Sequence, residues 1–187
     1  FDGWSMPILM EEFLTTYELI ASGNKLDEKE EDRFEDYIRY LEREDAEKQE
    51  TYWREYLQGI EESTLLPFID ATTQLTKGQG IYKSMFLNFN KETTAMAENF
   101  AQSNRITLNT LMQGIWSYLL HSYTGSKDII SGTIVSGRPV DLPSVEQRVG
   151  MFINTLPLRT EMNKEKKINE WLQEIQKDQI VSRQYQF

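Results

Sequence analysis

The sequence predicts an α/β domain, a mixed sheet flanked by helices. Two short apolar runs carry the strand expectation. Ile129, Ile130, Thr133, Ile134 and Val135 are mostly β-branched, and Phe152, Ile153, Thr155, Leu156 and Leu158 follow across a long loop. Elsewhere apolar residues recur at helical spacing. Hydrophobic residues make up 39% of the 187 and aromatics 12%, enough for a packed core rather than a disordered chain.

Taken in order, Ser5 is placed to cap a first helix, and Pro7 is tolerated in its first turn. Leu9, Phe13, Tyr17 and Ile20 give that helix one apolar face, and Ser22-Gly23-Asn24 ends it. A charged helical region follows. Phe34, Ile38 and Leu41 mark one face in it, and Tyr52, Trp53, Tyr56 and Leu57 mark another helix closed by Gly59. These aromatics are expected to pack a core rather than touch a cofactor. Residues 63–80, with Pro67, Gly78 and Gly80, read as a linker. Ile81 to Phe89 alternates like a strand. Lys91 to Ser103 reads as a helix with Met96, Ala97 and Phe100 inward. Thr107 caps the next helix, whose stripe is Leu108, Leu111, Ile115, Tyr118, Leu119 and Ser122, and Gly125 stops it. The tail from Ile168 forms a helix through Trp171, Leu172 and Ile175.

Between the two apolar runs lies Gly137-Arg138-Pro139, then a polar loop closed by Gly150. A long, punctuated loop held by two strands is where function tends to sit. Pro157 removes a ladder donor from the second run, which places that strand at an edge or bulges it there.

Composition excludes several chemistries. With no cysteine there is no disulfide, thiolate nucleophile or Cys-ligated metal. Net charge is −10, and residues 24–62 hold 15 acidic against 7 basic side chains, the opposite of a nucleic-acid surface. That stretch reads as solvated helix faces, or as an acidic docking face. No apolar run approaches the ~18 residues of a membrane span, and no signal peptide is present; a cytoplasmic location is expected. His121 is the only histidine and has no partner ligand, so a structural role is expected for it. Phosphate loops, dinucleotide fingerprints and the GxSxG elbow are missing.

The loop and its strands carry a resemblance. Ser136-Gly137-Arg138-Pro139, Gly150, Phe152 and Asn154-Thr155-Leu156-Pro157-Leu158-Arg159 resemble, in order and spacing, the condensation domain of nonribosomal peptide synthetases. Phe1-Asp2-Gly3-Trp4-Ser5 resembles the last five positions of that family's HHxxxDGWS motif. The helix from Thr107 and the strand from Asp128 also match. Phe34-Glu35-Asp36-Tyr37 resembles the family's tyrosine-containing helix motif, and Tyr52-Trp53 its YW pair. The two motif histidines have no counterpart here, and the first residue is Phe1, so a fragment is expected.

The resemblance implies a chloramphenicol-acetyltransferase-like lobe preceded by a helical piece of the N-terminal lobe. The implied division is 1–62 helical remnant, 63–80 linker and 81–187 C-terminal lobe. It implies a parent enzyme that forms an amide between an acyl or peptidyl thioester and an aminoacyl thioester. Both are carried on phosphopantetheine of carrier domains, with no cofactor bound directly. Carrier domains, an adenylation domain and the rest of the N-terminal lobe are the implied partners, with neither nucleic acid nor membrane. The implied centre is structural: Asp2, Gly3 and Arg138, with Asp2 paired to Arg138. Trp4, Ser5, Gly137 and Asn154 are placed along the substrate channel, although Asn154 could equally cap its strand, and Arg159 is read as a solvated strand end. Without the histidines the chain alone is expected to be inactive. A related acyltransferase or epimerisation domain, or a non-catalytic docking module, are the alternatives.

Overall fold

The computed structural model describes residues 1–25, 34–60, 64–68 and 83–187. Its helices are α1 (Ser5–Ala21), α2 (Phe34–Leu41), α3 (Ala46–Tyr56), α4 (Lys91–Ser103), α5 (Leu108–Thr124) and α6 (Ile168–Ser182), and its strands are β1 (Asp128–Val135) and β2 (Asn154–Glu161). The strands pair into a two-stranded sheet. Met162 N, just past the end of β2, donates to Lys127 O, just before β1, at 2.7 Å, so the pair runs antiparallel. Among the described residues both strands are edges, which accommodates Pro157. The chain divides into two units. One comprises Phe1–Tyr56, Thr133–Leu156 and Tyr185–Phe187, and the other Leu57–Gly132 and Pro157–Gln184.

In the first unit, Tyr37, Leu142, Val145 and Phe152 form a buried cluster, with Phe34, Leu41 and Phe187 packed against it. Phe152 is 1% exposed, and burial of such a side chain contributes about 1.5–3 kcal/mol. The Phe34 ring meets it edge-on at 5.3 Å, and the Tyr37 ring lies tilted against it at 4.6 Å. The inward residue of α2 is therefore Tyr37 rather than the expected Ile38, which is exposed, because the helix turns its ring toward Phe152. Asp45 Oδ1 accepts from Lys48 N at the start of α3. On α3, Tyr52 stacks on Tyr185 at 4.0 Å and Trp53 Nε1 donates to Tyr185 O. The helix α1 ends in a Schellman turn: Gly23 N donates to Ile20 O and Asn24 N to Leu19 O, with Gly23 at φ 74°. Ser5 is the first helical residue of α1, not its cap. The apolar face of α1 stands open, with Phe13, Tyr17 and Ile20 exposed.

In the second unit, Ala101, Ile106, Leu158, Leu172 and Ile175 form the core, flanked by Leu111 and Trp171. Thr107 caps α5 as expected, its Oγ1 accepting from Thr110 N, and Gly125 ends it at φ 72°. Of the expected stripe of α5 only Leu111 packs on the core. Thr110, Gly114, Ser117 and Leu120 are buried, whereas Leu108, Ile115, Tyr118 and Leu119 are exposed. The reason is close helix packing: a Cβ on Gly114 would overlap the Leu172 side chain of α6. Likewise α4 buries Ala101, while Met96 and Phe100 stay exposed. Arg159 is not a solvated end. Its guanidinium grips Asp128 through Nε at 3.0 Å and Nη2 at 2.7 Å, and its Nη1 donates to Gln58 O.

Residues 83–89, expected as a strand, form none; Met85, Phe86 and Leu87 are exposed. A strand exists only through a hydrogen-bonded partner, and these residues have none among the described ones. Ile81 and Tyr82, and most of the expected linker, lie outside the described residues.

Candidate functional site

The opening residues and the loop between the strands meet within the first unit, around Asp2. Its side chain is 4% exposed. Oδ1 accepts from Ser5 N at 3.0 Å and Ser5 Oγ at 2.8 Å, and Oδ2 from Phe152 N at 3.2 Å. The Asp2 carboxylate thus does at the head of α1 what Ser5 was expected to do: it satisfies an orphan helix donor. Asp2 N donates to Gly150 O at 2.9 Å. Ser5, fully buried, accepts from Gly150 N through its hydroxyl at 3.0 Å, and the same oxygen lies 3.0 Å from Gly150 O, which shares its one proton with Asp2 Oδ1. The first five residues are therefore stitched to the loop at Gly150 and Phe152.

Arg138 completes the centre. Nη2 reaches Asp2 Oδ1 at 3.3 Å, with both side chains 4% exposed. Nη1 donates to Arg148 O at 2.9 Å and to Val145 O. The guanidinium lies 4.0 Å from the Phe152 ring centroid and 5.9 Å from that of Trp4. Burial works against ionisation of Asp2 and is the largest single influence. The Ser5 hydroxyl, the Phe152 and Ser5 amides and the Arg138 charge outweigh it together and hold the carboxyl below its ordinary value of 3.8. The expected Asp2–Arg138 pair is present, an ionised pair in a site closed to water.

Gly137 explains itself sterically. It sits at φ 62°, and a Cβ there would overlap the Phe152 carbonyl. Gly150 lies against the Phe34 ring, where a Cβ would collide. Gly3, by contrast, is exposed, with nothing near a notional Cβ. Trp4 is 57% exposed and donates from Nε1 to Glu146 O at 3.0 Å. Asn154 bonds within the chain: Nδ2 donates to Gln186 O at 2.7 Å, and Oδ1 accepts from Thr155 N. His121 lies in the second unit and donates from Nδ1 to Ser126 O, a local helix-end role. Among the described residues no cluster of His, Asp or Glu could hold a metal, and no helix is long and apolar enough to cross a membrane.

One pairing of this site escapes a reading of the sequence. Arg148 is buried in the loop and pairs with Asp36 of α2 at 2.8 Å. The only sequence signal is a charge directly before Val149-Gly150, in a segment otherwise headed for the core. Asp36 belongs to the Phe34-Glu35-Asp36-Tyr37 motif, but nothing in the sequence pairs it with Arg148.

The family model for the condensation domain matches residues 1–186. The chain is 37% identical over 186 residues to bacitracin synthase 3 of Bacillus licheniformis, covering all of this chain and 3% of that protein. Among solved structures, the X-domain from teicoplanin biosynthesis superposes with a TM-score of 0.78 at 25% identity, over 99% of this chain and 42% of that one. The first condensation domain of the calcium-dependent antibiotic synthetase gives 0.71 at 18% identity, over 98% and 42%. The chain thus spans a small part of its curated relative and about two fifths of each solved domain, and it shares their chloramphenicol-acetyltransferase-like fold.

Proposed function

The chain belongs to the condensation-domain family, and from that premise we propose that it serves amide-bond formation in a nonribosomal peptide synthetase. The amine of an aminoacyl thioester on one carrier domain attacks the thioester carbonyl of an acyl or peptidyl group on another. The C–N bond forms and the C–S bond breaks. The amine gives up a proton, and the departing phosphopantetheine thiolate takes one up. Carrier domains and an adenylation domain are the partners in this reading, and no cofactor binds the chain itself.

The observation that supports it most is the buried Asp2–Arg138 pair, which fastens the motif residues 2–5 to the loop ending at Gly150 and Phe152. Asp2 touches no reacting group in this role. Its carboxylate and the Arg138 guanidinium are positioning groups that fix where the motif backbone lies. Fixing two tethered substrates against such a frame lowers the barrier chiefly through orientation.

The test is conversion of an acyl-loaded and an aminoacyl-loaded carrier to amide by the synthetase module that bears this sequence, read by intact mass. The product is expected on the acceptor carrier. Unchanged carriers would overturn the reading. The 187-residue chain by itself is expected to be inactive, since its one histidine, His121, is tied to Ser126 in a helix-end role.

A further inference from the structure

The Asp2–Arg138 pair has a support of its own. Arg138 Nη1 is anchored on the backbone carbonyl of Arg148 at 2.9 Å. The Arg148 side chain is itself 4% exposed and held on two sides: Nη1 donates to Asp36 Oδ2 at 2.8 Å and Nε to Pro143 O at 3.1 Å. Asp36 sits in the first turn of α2 and stays 43% exposed. Two residues after Arg148, Gly150 is gripped by Ser5 and Asp2. The loop leg 148–150 is therefore fixed by the opening residues on one side and by α2 on the other.

We propose that Asp36 and Arg148 are a positioning pair for the amide-forming reaction, an inference that rests on the function proposed above. The Asp36 carboxylate orients the buried guanidinium. The guanidinium sets the Arg148 carbonyl, and that carbonyl sets the register of Arg138 against Asp2. A buried guanidinium that loses the Asp36 carboxylate gives up a charge partner in a low-dielectric site, so it draws its loop toward other acceptors or water. The carbonyl that anchors Arg138 moves with it. Neither Asp36 nor Arg148 contacts substrate in this scheme.

The experiment uses the synthetase module that bears this sequence, with Asp36→Asn, Asp36→Glu and Arg148→Lys. Steady-state rates are measured with both loaded carriers, and the Trp4 signal is followed by fluorine NMR of fluorotryptophan-labelled protein. Trp4 reports the loop because its Nε1 donates to Glu146 O, two residues before Arg148. Asp36→Asn is expected to lower kcat about ten- to a hundredfold through misplacement, to leave KM for either carrier unchanged and to shift the Trp4 signal. Asp36→Glu is expected to restore both. Arg148→Lys keeps the charge but cannot span Asp36 and Pro143, so it is expected to reproduce the loss if Asp36→Asn fails to fold. An unchanged kcat, a loss without a Trp4 shift, or no rescue by glutamate would overturn the proposal. A wild-type module that makes no amide would defeat the reaction reading instead. The Trp4 shift would then still decide whether Asp36 holds the loop.

Discussion

Arg138 stands with its charge buried, stacked on Phe152 and anchored on two carbonyls and one carboxylate. Removing either member of such a pair leaves the other uncompensated, a loss of about 3–5 kcal/mol. Arg138→Ala and Asp2→Ala are each expected to lower unfolding free energy by that amount in urea titrations. The pH dependence follows from the sign of the shift. The folded Asp2 carboxyl lies below its ordinary value of 3.8. Its contribution is therefore complete above that value and drains away as pH falls through the folded one. The stability gap between wild type and Asp2→Asn is expected to hold steady from neutral pH to about pH 5 and to close below about pH 4; a gap independent of pH would contradict the ionised pair. Gly137→Ala combines a disfavoured φ with a clash on the Phe152 carbonyl. It is expected to destabilise the chain more than Gly3→Ala, since Gly3 has open space around it. Circular-dichroism melts of the two variants check this.

Most helix ends are legible in the sequence because capping is local chemistry, although Asp2 rather than Ser5 serves the head of α1. Thr107, Gly23 and Gly125 each act where their side chain, or lack of one, predicts. Inward faces are harder to read. Most of the apolar stripe of α5 is exposed, with only Leu111 packed on the core, and the small residue Gly114 makes the close interface with α6 possible. Size complementarity between helices leaves no hydrophobic period to read. Gly114→Val is accordingly expected to cost about 1–3 kcal/mol through overpacking against Leu172. Ile115→Gln, on the exposed face, is expected to cost almost nothing. Equal losses in thermal melts would refute that packing. Residues 83–89 mislead for a related reason, since alternation predicts a strand's faces but not its partner.

At the scale of the whole molecule, the loop motif and the opening pentapeptide are legible through the family resemblance, and so is the Asp2–Arg138 pair. The pairing of Asp36 with Arg148 is not: the resemblance marks Asp36 only as part of the Phe34-Glu35-Asp36-Tyr37 helix motif, and nothing in the sequence says which base it meets. The described residues also leave much apolar surface open, including Phe13 and Tyr17 on α1, Met85 and Phe86, and Trp116 on α5. Such exposure is unusual for an independent soluble domain, and the chain spans about 42% of the solved relatives. The isolated chain is expected to bind a hydrophobic dye and to associate at micromolar concentration, as scattering would show. A dye-silent monomer would mean that these faces are covered within the chain.

A double-mutant cycle on amide formation in the synthetase module bears most directly on whether Asp2 and Arg138 act as one unit. Rates would be compared for wild type, Asp2→Ala, Arg138→Ala and the pair. The two single variants are predicted to lose activity to a similar degree and the double variant to be no worse than either. Losses that multiply in the double variant, or a single variant with the full wild-type rate, would contradict it.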